Sequence, residues 1–290
     1  MPDQNTRFLL PEYHVRGQII KLDKAFQSVL ANAEYAAPVA GVLGQALAAV
    51  SALGSIIKLR GSIIMQAQGD GPIHALVAQA NNAGEIRGLA HGSEQVEAQS
   101  SFKDLLGKGR MVMTIDGEGA QRYQGIIELQ GEGLSDTLEA YFQQSEQLQT
   151  HVHLASSGEQ AACFLCQQLP SEDDYALDHW QHVKALSNTL SDDELLDFNE
   201  QEILHRLFHE DEVQVFEPEA LVFNCRCSRE KVIPAIIQMG LDEAMTLVDE
   251  QGEIRADCEF CNQAHRFDKV DVAGLFEQVN LSETNSSKAH

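Results

Sequence analysis

Positive charge is scarce in this chain: 20 Lys and Arg stand against 44 Asp and Glu across 290 residues, a formal net charge of −24. Such a surplus of acid repels nucleic-acid phosphates and anionic membrane surfaces alike, so nucleic-acid binding is disfavoured. Long apolar runs are also scarce. No stretch reads as the roughly 18 consecutive apolar residues of a membrane span, and the opening MPDQNTRFLLPEYHVRG lacks the basic region and apolar run of a secretory leader. The expectation is a soluble, cytoplasmic protein with neither nucleic acid nor membrane as partner.

Signatures of common catalysts are missing as well. Gly69-Asp70-Gly71 and Gly107-Lys108-Gly109 are glycine-rich turns without the Gly-Lys-Ser/Thr ending of a phosphate loop. There is no nucleophile elbow and no paired-carboxylate motif. His205-x-x-x-His209 would set two imidazoles on one helical face, but Arg206 occupies the place where a metalloprotease motif needs glutamate, and a solvated pair is expected.

What the chain does have is six cysteines, four of them arranged as Cys225-Arg226-Cys227 and Cys258-Glu259-Phe260-Cys261. Two close thiol pairs match the closed, all-sulfur tetrahedral coordination of structural Zn²⁺, with no position left for a water nucleophile. In a reducing compartment such pairs point to metal binding or redox sensing rather than to permanent disulfides. The one-residue spacing of the first pair is unusual, since a disulfide across it needs a tight local turn and so forces backbone change. Arg226, Arg229 and Lys231 form a basic cluster here, and cations beside a thiol favour the reactive thiolate. A redox sensor is expected; a purely structural zinc ribbon is the plain alternative. His265, four residues beyond Cys261, is a weaker candidate ligand. Cys163 and Cys166 have redox-motif spacing but fall in an expected strand, where residues three apart face opposite ways, and are read as two unrelated cysteines.

The fold class expected is α+β, in three parts. Residues 1–170 read as a mixed α/β domain with a largely antiparallel sheet: strand patterns cover His14 to Leu22, Ser62 to Gln68, Ile73 to Ala80, Arg110 to Ile115, Tyr123 to Leu129 and Thr150 to Ala155, and helical spacing covers Asp23 to Asn32, Val39 to Ile57 and Ser135 to Ser145. Residues 171–224 carry fifteen acids against Lys184 and Arg206, or −13 of the total −24. Ser171-x-x-Asp174 and Ser191-x-x-Glu194 look like capping boxes, and Ile203, Leu204, Leu207 and Phe208 make an apolar stripe. Short helices with self-repelling outer faces form a linker that depends on packing against a neighbour. Residues 225–290 form a small domain, with a helix capped by Ser228, kinked or shifted in its start by Pro234 and ended by Gly240, and a strand from Ile254 to Asp257. A core this small needs a metal staple.

Taken together, Cys225-Arg-Cys227-Ser-Arg-Glu and Cys258-Glu-Phe-Cys261-Asn resemble the zinc centre of the redox-regulated thirty-three-kilodalton heat-shock holdases. The likeness extends through Gly71-Pro72-Ile73, Ala80-Asn81, Ile86-Arg87-Gly88, Tyr123-Gln124-Gly125-Ile126, Gly131-Glu132-Gly133, Tyr141-Phe142, Ser145-Glu146-Gln147 and Arg206-Leu207-Phe208. The resemblance implies an ATP-independent chaperone and not an enzyme, inactive while reduced with one Zn²⁺ on Cys225, Cys227, Cys258 and Cys261. It further implies that oxidation pairs Cys225 with Cys227 and Cys258 with Cys261, releases zinc, unfolds the linker and favours a homodimer that holds unfolding client proteins. A thiol-disulfide oxidoreductase and a zinc-stabilised adaptor are the competing classes.

Overall fold

A computed structural model describes residues 2–55, 61–92, 96–117, 119, 122–170 and 175–286, and side chains as far as 277. The chain divides into two compact units, 1–224 and 225–290.

The first unit runs β1 (Gln4–Leu10), β2 (Val15–Leu22), α1 (Lys24–Leu30), α2 (Ala37–Gly54), β3 (Gly61–Gly69), β4 (Ile73–Asn81), β5 (Glu85–Gly92), α3 (Phe102–Leu106), β6 (Gly109–Gly117), β7 (Tyr123–Glu128) and α4 (Leu134–Tyr141). A π-helical turn over Phe142–Glu146 extends α4, and there follow β8 (Thr150–Ser156), β9 (Ala161–Gln168), α5 (Ala176–Ser187), α6 (Asp192–Asp197), α7 (Glu200–Phe208) and the two-residue strands β10 (Gln214–Val215), β11 (Glu219–Ala220) and β12 (Val222–Phe223). One sheet has the order β10-β1-β2-β9-β8, with β11 also on β1, and is antiparallel throughout. The other has the order β12-β5-β4-β3-β6-β7 and is antiparallel except where β12 joins β5. The α+β class with largely antiparallel pairing is what the strand patterns imply.

The main core lies around α2. Leu43, Leu47 and Val50 pack with Ile20, Cys163 and Leu165 of the first sheet and with Ile63, Met65, Leu76, Ile86 and Met113 of the second. By length and composition α2 could cross a membrane, with a mean hydropathy of 1.5 over 18 residues and 78% of them buried. Its apolarity all round corrects the expectation that no segment approaches a span, and has an ordinary cause: a helix walled in by two sheets has no polar face to keep. The helix ends at Gly54 rather than at Ile57, which lies outside the described residues.

The opposite face of the first sheet carries a second core. Period-two alternation sends Phe8, Leu10, Val15, Ile19, Phe164 and Cys166 to this side, where Trp180, Val183, Leu195, Ile203, Leu204, Leu207 and Phe208 of α5, α6 and α7 cover them. The Ser191–Glu194 capping box is present, and a second one, Asn199–Glu202, starts α7. Ser171-x-x-Asp174 lies outside the described residues. Short acidic helices thus owe their apolar footing to a sheet face, as expected of helices too short to stand alone.

The two glycine-rich turns interlock. Asp70 N donates to Lys108 O at 3.0 Å, Gly71 N to Leu106 O at 3.1 Å and Lys108 N to Asp70 Oδ1 at 2.7 Å. A Cβ on Gly69 would meet Leu106 O at 1.7 Å, so close backbone approach accounts for the glycine there.

Candidate metal centre

The second unit contains α8 (Arg229–Met239), α9 (Leu241–Gln251), β13 (Ile254–Asp257), β14 (Ala264–Phe267) and α10 (Lys269–Ser286). Its core is small: among the described residues Ile236, Ala244, Val248, Ile254, Phe267 and Val272 are its buried apolar side chains. Helix α8 runs across Pro234 without restarting after it. This corrects the expectation of a shifted start, since the proline forfeits the single bond its nitrogen would have made to the Glu230 carbonyl. Gly240 closes α8 as expected, at φ +92°.

Two backbone features present the four thiols. Cys225 and Cys227 lie in the irregular segment before Ser228, the N-cap residue of α8. Cys258 and Cys261 sit in the turn of the β13–β14 hairpin. There Cys258 N donates to Gln263 O at 3.0 Å, Asn262 N donates to Cys258 O at 2.7 Å, and Asn262 takes φ +55°, a left-handed conformation that asparagine tolerates. The turn therefore folds the second pair back on itself, and the hairpin carries it toward the first.

The result is a tight sulfur cluster. The Sγ atoms of Cys225 and Cys258 are 3.5 Å apart, those of Cys227 and Cys261 are 3.4 Å apart, and all four lie within 4.8 Å of one another. A tetrahedral Zn²⁺ with Zn–S bonds of about 2.3 Å sets its sulfurs about 3.8 Å apart, so this donor set fits that ion in both chemistry and spacing. All four cysteines are half-buried and unpaired by disulfide. Cys227 Sγ also reaches Gln263 Oε1 at 3.5 Å.

The thiols do not titrate alike. Burial raises the Cys225 pKa, but hydrogen bonds from the Cys227 backbone and from the neighbouring sulfurs outweigh it and bring Cys225 down to about 7. Burial and the same sulfur contacts push Cys227 up to about 12 and move Cys261 upward. Arg229 pairs with Asp271 and lies 4.5 Å over the Phe267 ring, and the Lys231 ammonium donates to the Arg226 carbonyl.

The weaker candidates fall elsewhere. Cys163 and Cys166 are fully buried on β9, one in each core of the first unit, and burial raises both thiols far above their ordinary value. His205 on α7 and His209 at its C-cap are exposed, with ring centroids 5.9 Å apart. His265 is buried on β14 and does not belong to the sulfur cluster. A feature that sequence reasoning missed is the anchoring of the acidic helices by single polar contacts: Tyr13 Oη donates to Asp211 Oδ1 at 2.6 Å, His153 Nε2 lies 2.7 Å from Asp192 Oδ1, and the Lys21 ammonium reaches carbonyls of α6. A lysine set between Ile20 and Leu22 on β2 was the available signal.

Comparison with known proteins agrees with this geometry. Residues 3–268 match the Hsp33 protein family. The chain is 40% identical over 294 residues to the 33 kDa chaperonin of Pseudomonas fluorescens, covering 99% of this chain and 98% of that one. It is 41% identical over 285 residues to the 33 kDa chaperonin of Nitrosococcus oceani, covering 98% of each. The solved structure of the 33 kDa chaperonin from Thermotoga maritima shares the fold, with a TM-score of 0.82 at 19% identity over 96% of this chain and 99% of that one.

Proposed function

This chain belongs to the Hsp33 family, and from that premise we propose that it is a redox-regulated, ATP-independent chaperone that holds unfolding clients under oxidative stress. The observation that carries this reading is the convergence of Cys225, Cys227, Cys258 and Cys261, from two distant segments, within 4.8 Å of one another. The four thiols would hold one Zn²⁺, which when bound keeps them as thiolates and ties the two segments together.

In the reduced state Trp180, Val183, Leu204, Leu207 and Phe208 cover the sheet face formed by Phe8, Ile19 and Phe164. Two equivalents of peroxide, one for each thiol pair, then each take two electrons and two protons and are reduced to water, or to an alcohol and water, as one S–S bond forms across Cys225–Cys227 and one across Cys258–Cys261. With its four donors consumed, the second unit keeps only the small core around Ile236, Val248 and Phe267 among its described residues, too little to fold without a staple. Loss of order there propagates through the short strands β10 to β12 into helices α5 to α7, which leave the sheet and expose its apolar face to clients. An exposed apolar face of this kind also serves for association of two activated copies, and the net charge of −24 favours a soluble cytoplasmic setting without nucleic acid or membrane as partner.

The test is light scattering of a thermally unfolding client with the chain reduced and zinc-loaded, and again after peroxide treatment. Suppression by the oxidised chain alone is expected. Turnover of a disulfide substrate instead would mark an oxidoreductase, and neither activity would leave a zinc-stabilised adaptor.

A further inference from the structure

Lys21 is an oddity of the first sheet. It lies on β2 and is only 3% exposed, and its strand neighbours Gln4 and Ala162 carry no charge. Its ammonium donates to the carbonyl of Leu195 and lies 3.4 Å from that of Leu196, near the end of α6, where carbonyls lack partners within the helix. The charges that face it come from the covering helices: Asp197 on α6 and Glu200 and Glu202 on α7. Glu200 is itself held by Gln4 Nε2 at 2.9 Å. An unpartnered lysine in this position would be strongly disfavoured. This one is paired, and its partners all belong to the segment that must leave on activation.

We propose that Lys21 is the positioning residue that registers the acidic helices on the sheet, its buried amine satisfying the open carbonyl end of α6. The inference rests on the reading above only in taking these helices as the part that undocks. Apolar packing alone tolerates sliding, whereas an amine aimed at two specific carbonyls fixes one seating of α6. The same contact couples docking to a proton. Burial lowers the amine pKa to about 8 against the pull of Glu200, Asp197 and Glu202. The undocked chain keeps the ordinary value near 10.5, so it binds the extra proton between about pH 8 and 10.5. Docking therefore tightens as pH rises through that window and loses this contribution as pH falls through 8, by up to about tenfold in the docking constant per pH unit.

Trp180, the only tryptophan in the chain, is buried on the sheet-facing side of α5 and reports docking directly. The experiment is urea titration of its emission at pH 7.5, 8.5 and 9.5 in the reduced, zinc-loaded full chain, for wild type, Lys21→Met and Lys21→Arg. The wild-type midpoint should rise with pH. Lys21→Met should have a lower midpoint at pH 7.5 and no rise above pH 8, and Lys21→Arg, which stays charged throughout, should also show no rise. A Lys21→Met midpoint equal to or above wild type, or a pH rise that persists in either variant, would overturn the proposal. If Lys21→Met fails to fold, wild type and Lys21→Arg decide. None of these readouts involves a client or an oxidant, so a chain that never protects clients sinks the chaperone reading and leaves Lys21 untouched.

Discussion

Cys163 and Cys166 stand three residues apart on one strand and belong to different cores, Cys163 facing α2 and Cys166 lying under α5 with the Ser187 hydroxyl beside it. Alternation across β9 keeps them from pairing with each other, and burial holds both thiols in the unreactive protonated form. Alkylation at pH 8 after chelation should label Cys225, Cys227, Cys258 and Cys261 and spare these two, as read by peptide mass mapping. Replacing both with alanine should leave the oxidation response intact. Labelling of Cys163 at the rate of Cys225 would contradict the burial argument.

Removing one sulfur should dismantle the second unit. Cys261→Ser leaves three donors, and with so small a core a bound metal would supply most of the folding free energy. We expect loss of stoichiometric zinc and loss of amide protection through α8, α9 and the β13–β14 hairpin. Protection of β2, β4 and α2 should not change. Hydrogen exchange by mass spectrometry checks both halves of this statement.

Truncating the helix stripe should free the sheet face without oxidation. Phe208 is 1% exposed, with its ring centroid 6.2 Å from that of Phe8, and Phe208→Ala is expected to weaken docking by roughly 3–5 kcal/mol. The variant should show a solvent-exposed Trp180 emission maximum and should suppress client aggregation while still reduced. Wild-type fluorescence with no reduced-state activity would place the client surface elsewhere.

High pH should undo another anchor. Tyr13 donates to Asp211, and that hydrogen bond, with burial and nearby acid charge, raises its phenol to about 12. Because the docked value lies above the ordinary value near 10, the stability this contact contributes is full below pH 10 and is lost as pH rises from 10 through 12. Absorbance at the phenolate band should lose one late-titrating tyrosine in Tyr13→Phe, while Tyr35 and Tyr141, both raised by burial, keep titrating late.

The two disulfides should form in order. Cys258 and Cys261 already sit in a turn closed by the Asn262 to Cys258 bond at 2.7 Å, whereas pairing Cys225 with Cys227 needs a strained ring around one residue. Time-resolved thiol mapping beside a zinc-release dye should show Cys258–Cys261 first, with zinc leaving at that step. Cys225–Cys227 appearing first would reverse the order.

The sequence made some of this architecture legible and hid the rest for physical reasons. Strands β2, β3, β4, β6, β7 and β8 announce themselves through apolar runs or alternation. β1 does not, because Asn5 and Thr6 are buried polar residues, and Asn5 is accommodated by a 3.0 Å bond to Gln18 Oε1. β5 carries Gly88, which weakens any strand pattern; a Cβ there would meet Val77 O at 2.9 Å and the Leu47 side chain of α2 at 3.0 Å. Cysteine spacing marked the four thiols, yet spacing could not reveal that Cys225 approaches Cys258 and Cys227 approaches Cys261, since that depends on how the hairpin meets the segment before α8. Nor could a net charge of −13 over 171–224 reveal that Lys21, 174 residues before Leu195, anchors the helices.

The central claim is that chemistry at four thiols uncovers an apolar sheet face in the other unit. Hydrogen exchange over 176–209, compared between the reduced, zinc-loaded chain and the same chain after peroxide, tests it most directly. The account predicts that these helices lose protection on oxidation while α2, β3 and β4 keep theirs. Unchanged protection of 176–209 after both disulfides have formed and zinc has left would contradict it.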